Sequence, residues 1–512
     1  MQENDSSRGL IENMRAQRAS VFCLGIVVAW SAFLAGCATT SRKEMTREIR
    51  QARVQAYQRY ESRTERENQQ QPRISGKLSI EDSLKLTLAH NKMLQQTMEE
   101  REASRGGLVG SRSAYLPNLG VSGQYQRLDE VASFEIDTPA GTQKLQLGDV
   151  DNYSVALTVT QPIYAGGAIS ARVRAARLMS LYADQTIRAV TQDVVYAAQS
   201  AYYDLLLSQH LVQIAEEDVR SAKVHLQTVE KRRAGGVVSD FDVLRAQVEL
   251  SNYEASLLRA RNAINLSRAN LIKILGISQD SDFVLSDEFV FVPMKVSPEQ
   301  AIEAAFKNRP DLYRQEIQIR QQREQLRIAR SRYLPTLNGY FTNTWAKPDP
   351  KSFASPTIEW GDTWQAGLQG VWPIFDGFQR EGAIIQEKAR LRQAELGLVD
   401  LEETALYELT QALLSMQNAE EFVQSQQLNL KRASEGLRLA EVGYEQGINT
   451  QVELIDAQAA LTTARVNYYE AIYRHVEAKL AVRRAMGTIV EAGFSQAEET
   501  AGTKESENIA AN

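Results

Sequence analysis

Few residues in this 512-residue chain are spaced for chemistry, and the informative ones are carboxylates beside glycine turns. Ser239 stands three residues before Asp242, and Thr450 stands three before Glu453. At such spacing the hydroxyl accepts from the third backbone amide while the carboxylate reaches back to the cap amide, so both pairs read as capping boxes that start helices. Gly235 and Gly236 precede the first box, and Gly443 and Gly447 precede the second. Glycine suits a helix carboxyl end, and Lys231-Arg232-Arg233 complement the dipole there. Asp456 lies a turn beyond its cap, so capping does not account for it; the bland alternative is a solvated acid on an exposed helix face. His90, His210, His225 and His475 are scattered, in no metal-ligand spacing, and there are only two cysteines. No Ser/His/Asp order, phosphate loop or cysteine pair stands out, so the expectation is no cofactor, no metal and no enzyme.

Lys plus Arg is 58 against Asp plus Glu 64, a net charge of −6, which gives no reason to expect a nucleic-acid partner. A chain that is 43% hydrophobic and 24% charged is not wholesale disordered. Val21 to Ala35 is an apolar run of 15 preceded by Arg15 and Arg18, which reads as a secretory signal. It ends Leu34-Ala35-Gly36-Cys37, similar to the bacterial lipobox. The expectation is a signal peptide over 1–36 and a lipid-modified (palmitate-bearing) Cys37. Ala38, by resemblance to Gram-negative lipoproteins, implies sorting to the outer membrane. Residues 1–13 are acidic for a signal, so translation is also open to starting at Met14. After Cys37 no apolar run reaches 18 residues, which excludes a transmembrane helix and leaves a lipid anchor or a closed β-barrel.

Larger elements must position these turns. Neither proline nor glycine occurs from Ala168 to Ala234, a run of 67 residues, and as one helix it would be about 100 Å long. The chain also repeats itself. Tyr115-Leu116-Pro117 recurs as Tyr333-Leu334-Pro335, Pro162-Ile163-Tyr164 as Pro373-Ile374-Phe375, and Asp242 to Gln247 as Glu453 to Gln458, which sets Asp456 opposite Arg245. Each copy reads as a helix of about 35 residues, two strands with a loop, a long helix, a glycine turn and a returning helix. Tyr153, Val155, Leu157 and Val159 alternate with Ser154, Ala156, Thr158 and Thr160, and Leu119, Val121 and Tyr125 alternate likewise. Trp364, Ala366, Leu368 and Trp372 share a face, which suggests an aromatic girdle at a membrane interface; the bland alternative is a soluble hairpin with a Trp cluster. Two hairpins give four strands, whereas the smallest usual barrel needs about eight, so several chains must share one.

The organisation expected is therefore: signal 1–36; a lipid-anchored charged segment 37–77; repeat one over 78–277, with a hairpin about 117–162 and a turn at 235–239; a linker 278–295; repeat two over 296–490, with a hairpin about 335–373 and a turn at 443–450; and a disordered tail 491–512. The charged stretch within 41–71 reads as an extra helix or tether.

These residues resemble the TolC-like outer-membrane efflux channels over about 78–490. The motifs are Leu78-Ser79-Ile80-Glu81 with Asn91, Tyr115-Leu116-Pro117-Asn118-Leu119, Thr160-Gln161-Pro162-Ile163-Tyr164-Ala165-Gly166-Gly167, Arg309-Pro310-Asp311-Leu312, and Gly443-Tyr444-Glu445-Gln446-Gly447 running into Leu454-Ile455-Asp456-Ala457-Gln458. The resemblance implies a mainly α fold with a small β part: a homotrimer sharing a twelve-stranded outer-membrane barrel that continues into a long periplasmic α-helical barrel. The lipobox places the chain with the lipoprotein branch, although the early Gly-Pro motif of that branch is missing. It implies a passive duct for small molecules, with a periplasmic adaptor protein, an inner-membrane transporter and outer-membrane lipid as partners. A protein-secreting exporter is the alternative within the class, and a lipid-anchored coiled-coil spacer the alternative outside it. By resemblance Asp456 matches a pore-constricting aspartate, favouring cations when three copies converge. Tyr444 matches a gate tyrosine, Asp242 and Glu453 line or latch the aperture, and the glycine turns meet the adaptor. The basic latch position of the family is here Asn449.

Overall fold

The computed structural model describes residues 42–57, 60, 73–131, 133–138, 141–146, 148–351 and 359–491. The signal 1–36, the anchor Cys37 and the tail beyond Glu491 lie outside the described residues. The chain divides into two units, 1–72 and 73–512. In the first, the charged segment forms helix α1 (Arg42–Val54), with Glu44 in its first turn and Arg53 in its last.

The second unit begins with β1 (Ser75–Leu78), α2 (Ile80–His90) and α3 (Lys92–Ser113). A single helix of about 35 residues was the expectation here, and Asn91 divides it. Its backbone is extended (ψ 125°) and its side chain accepts from the amides of Met93 and Leu94, so it ends one helix and caps the next. Strands β2 (Asn118–Arg127), β3 (Ser133–Thr138), β4 (Gly141–Gln146) and β5 (Asp151–Ala165) follow. Part of the expected loop of the first hairpin is therefore itself a hairpin, β3 against β4. The proline-free run is one helix, α4 (Ala168–Ala234), and α5 (Asp240–Leu275) returns from it. The expected linker holds β6 (Asp282–Leu285), which pairs in parallel with β1.

Next come α6 (Pro298–Asn308) and α7 (Pro310–Ser331), again broken where one helix was expected. The cause is Pro310, which forces Arg309 out of helical geometry to ψ 117°. Strands β7 (Thr336–Lys347) and β8 (Gly361–Val371) and helices α8 (Gln379–Glu445) and α9 (Gln451–Ala485) complete the unit. Helices α4 and α8 each have 67 residues, α5 has 36 and α9 has 35.

Strands β2-β5-β7-β8 form one antiparallel sheet. Helix α3 packs on α4, α4 on α7, and α7 on α8. Helix order thus follows strand order, and the sheet passes strand by strand into a helical layer. The core sits halfway along α4, around Tyr202, which is 0% exposed. Its hydroxyl donates to the Leu78 carbonyl at 2.9 Å and to the Asp287 carboxylate, and Asp287 also accepts from the Ile80 amide at 2.9 Å. One side chain of α4 therefore ties down β1, the start of α2 and the segment after β6. Burial and the Asp287 carboxylate push the Tyr202 hydroxyl far above the usual tyrosine range. Burial along α4 is not confined to one 3-4 stripe: Val194, Ala201, Leu205, Val219 and Val229 are buried, and so are Val195, Ala198, Leu206 and Ile214. The helix packs on several sides at once, against α5, α3, α2, α7 and α9.

Candidate functional site

Both helical turns have the same hydrogen-bond logic. At the first, the Val237 amide donates to the Arg232 carbonyl and the Gly236 amide to the Arg233 carbonyl, each at 2.9 Å. At the second, Ile448 donates to Gly443 at 2.8 Å and Gly447 to Tyr444 at 3.2 Å. These are paired six-to-one and five-to-two closures, which need a left-handed residue just past the helix. Gly236 (φ 74°) and Gly447 (φ 72°) fill that position. Gly235 is right-handed at φ −79° and has room for a Cβ. Gly443 lies inside α8, where its missing Cβ lets the Asn449 side chain fold over the helix end. Four glycines that look alike in sequence thus serve different ends. Gly236→Ala should cost about 1 kcal/mol and Gly235→Ala little, which comparison of thermal unfolding midpoints would check. Equal midpoints for the two variants would refute this distinction.

Both capping boxes are present. The Ser239 amide donates to Asp242 Oδ2 at 2.9 Å and the Asp242 amide returns to Ser239 Oγ at 3.3 Å. The Thr450 amide donates to Glu453 Oε2 at 2.7 Å and the Glu453 amide to Thr450 Oγ1 at 3.3 Å. The Ser239 hydroxyl and backbone hold the Asp242 carboxyl below the usual range. Asp456 is exposed on α9, without a hydrogen-bond or ion-pair partner among the described residues.

Tyr444 is 8% exposed, and its hydroxyl is buried without a hydrogen-bond partner among the described residues. The Arg232 guanidinium lies 4.4 Å from its ring centre, and the His225 ring lies 5.8 Å away. Burial and Arg232 hold His225 below its ordinary value. Gln451 connects the two turns, donating to the Asp242 carbonyl at 3.1 Å, with its Nε2 also 3.3 Å from His225 Nε2. Arg232, His225, Tyr444, Leu454, Ile455 and Gln458 are among the residues lining a groove of about 400 Å³ between the turns. Asp456 is not part of that lining.

Sequence reading missed Arg232 as the partner of Tyr444, and also missed Asp218. Asp218 is 2% exposed in α4 and accepts from Thr462 at 2.9 Å and Gln458 at 3.3 Å, both on α9. Burial raises its carboxyl above the usual range. Its one sequence signal is a position four residues after the buried Ile214.

The sheet supplies the second half of the site. Its register places Leu119, Val159, Phe341 and Ala366 in one row, and Val121, Leu157, Asn343 and Trp364 in the next row on the same face. The opposite face carries Gly120, Thr158, Thr342 and Gln365, then Ser122, Ala156, Thr344 and Thr363. One face is thus largely apolar and the other polar across all four strands. Among the described residues the outer edges of β2 and β8 are unpaired.

Solved structures share this fold. It aligns with the outer membrane protein VceC of Vibrio cholerae at a TM-score of 0.64 and 16% identity, over 80% of this chain and 96% of that one. A family model for outer membrane efflux proteins matches residues 83–277 and 301–488, and the chain belongs to that family. Among curated relatives it is similar to the cobalt-zinc-cadmium resistance protein CzcC of Cupriavidus metallidurans, at 23% identity over 81% of this chain and 91% of that protein. It is similar also to the proteases secretion protein PrtF of Dickeya chrysanthemi, at 21% identity over 82% of this chain and 90% of that protein.

Proposed function

We propose that three copies close their four-stranded sheets into one twelve-stranded outer-membrane barrel, continued by a helical tunnel built from two repeats per chain and reaching into the periplasm. The observation that carries this reading is the sheet itself. Its apolar face asks for lipid, its polar face asks for water, and its two free edges ask for neighbours. Four strands cannot close alone, and three sets close without leaving an edge. Aromatic residues at both ends of the sheet fit two interfaces: Tyr125, Tyr153 and Trp345 at one, and Tyr164, Trp372 and Phe375 at the other, all exposed. Cys37 would anchor each chain by acyl groups in the same membrane.

The duct is passive and has no catalytic role. An inner-membrane transporter supplies the energy, and a periplasmic adaptor docks at the turns of Gly235, Gly236, Gly443 and Gly447. Opening separates Asp456 and Tyr444 from their neighbours as α8 and α9 swing outward. Efflux of small molecules is the reading adopted, supported by the family and by the relative named for cobalt-zinc-cadmium resistance. The relative named for protease secretion supports a protein-exporting duct as the second reading. Deletion followed by drug- and metal-sensitivity assays and by secretion assays separates the two.

Reconstitution in planar bilayers tests the duct. Wild type should conduct and prefer cations, and Asp456→Ala should weaken that preference several-fold, because three exposed carboxylates at a constriction concentrate cations. Conductance with unchanged selectivity would remove Asp456 from the pore. A monomer that passes no ions would end the channel reading altogether.

A further inference from the structure

The stretches of α4 and α7 nearest the sheet, residues 168–180 and 319–332, hold eight arginines and one carboxylate, in a chain of net charge −6. Gly166, in the turn from β5 into α4, sits against the Ser331 carbonyl with no room for a Cβ. The start of α4 and the end of α7 are therefore level, beneath the paired strands β5 and β7. At ~1.5 Å per residue, Arg174, Arg177, Arg320, Arg323 and Arg327 lie roughly 6–17 Å along their helices from those ends. With Leu178 and Glu324 they line an open groove of about 400 Å³.

Glu324 is 7% exposed and fixes two of the five guanidiniums, accepting from Arg174 at 2.9 Å and Arg327 at 2.5 Å. The other three are underused. Arg320 and Arg323 reach carboxylates only at 3.6 Å, and Arg177 has no ion-pair partner among the described residues. Ile163, Tyr164 and Leu334, all exposed, lie at the foot of the sheet beside the same helix ends. Packing order α3-α4-α7-α8 puts the groove in the middle of the chain's own helical layer, away from the edges where another copy would join.

We propose that this groove binds the anionic headgroup of a phospholipid in the periplasm-facing leaflet. The inference rests on the sheet being membrane-inserted, as proposed above. A headgroup layer extends roughly 5–8 Å beyond the hydrocarbon on each side, and arginine stems span the remaining distance. Guanidiniums pair with phosphate in bidentate fashion and lose little in partial desolvation. The exposed apolar residues at the foot of the sheet take the upper acyl chain.

The test uses the full-length protein in detergent, titrated with phosphatidylglycerol or phosphatidylcholine and read by native mass spectrometry and by the thermal midpoint. The variant R177Q/R320Q/R323Q leaves Arg174, Arg327 and Glu324 in place. Wild type should prefer phosphatidylglycerol, and the triple variant should lose at least about tenfold of that preference. R177K/R320K/R323K, which keeps the charge and loses the bidentate geometry, should fall between the two. Should the triple variant fold poorly, R177Q alone should lose about threefold. Equal lipid preference in wild type and variants overturns the proposal. So does an equal midpoint shift from inorganic phosphate alone, or unchanged lipid binding with altered ion selectivity, which would place the arginines in the lumen. A wild type that does not enter phosphatidylcholine vesicles overturns the insertion reading, and this one with it.

Discussion

Leu157→Arg is expected to deplete the protein from the outer membrane, whereas Thr158→Arg, one residue along, is expected to leave its level nearly unchanged. Both positions lie near the middle of β5, paired with strands on either side, so backbone hydrogen bonding is the same for each. What differs is the face. Leu157 shares a row with Val121 and Trp364, and Thr158 with Thr342 and Gln365. An arginine on the lipid side at mid-depth costs about 2–4 kcal/mol, and on the water side little. In the proposed trimer the substitution enters three times, so the penalty per assembly is multiplied. Membrane fractionation with quantification of the assembled species measures it. Equal depletion by the two variants would mean that the two faces do not meet lipid and water. A lone spacer or a soluble hairpin predicts no difference between them.

What was legible in the sequence was what spacing alone decides. Capping boxes depend on residues three apart, and both formed where Ser239-Asp242 and Thr450-Glu453 stood. The 67-residue helix was legible because the absence of proline and glycine is a local property. Strand faces were legible because pleating has a fixed period of two. Tertiary contacts were not. Nothing in the spacing of Arg232 and Tyr444, 212 positions apart, predicts a guanidinium over that ring. The glycines at 235 and 236 differ only in backbone angle, which composition does not encode. The break at Asn91 was missed because a side chain that caps a helix also reads as an ordinary polar residue within one. The segment after repeat one looked like a linker because β6 has only four residues, and a strand that short is recognised by its partner β1 rather than by its own pattern.

His475 was missed as well, and its burial is expected to make the molecule acid-sensitive. It lies in α9 at 1% exposure, edge-on to Phe291 at 4.7 Å, with its Nε2 unpartnered among the described residues. Lys479 follows one turn later, its ammonium held by the Val292 carbonyl at 3.1 Å. Burial, and then the Lys479 charge, lower His475 to about 4. The fold therefore favours the neutral ring, while the unfolded chain takes up a proton near the ordinary value of about 6.5. Stability from this residue is fully present above that value, declines as pH falls, and is lost once pH passes below about 4. The shift corresponds to about 3 kcal/mol per chain at the acid limit. His475→Phe should flatten that part of the profile, with urea unfolding followed from pH 7.5 to 4. Burial also lowers His210, which stacks on Tyr469 at 4.5 Å and lies 5.7 Å from Phe289, so a residual slope of the same sign should survive in the variant. Both rings lie against residues 289–291, which follow β6 across the middle of the helical layer. Acid should therefore loosen this covering segment, so hydrogen exchange at 289–292 should rise as pH falls from 7.5 to 4 in wild type and rise less in His475→Phe. Parallel stability curves for wild type and His475→Phe would show that the buried ring carries no such linkage.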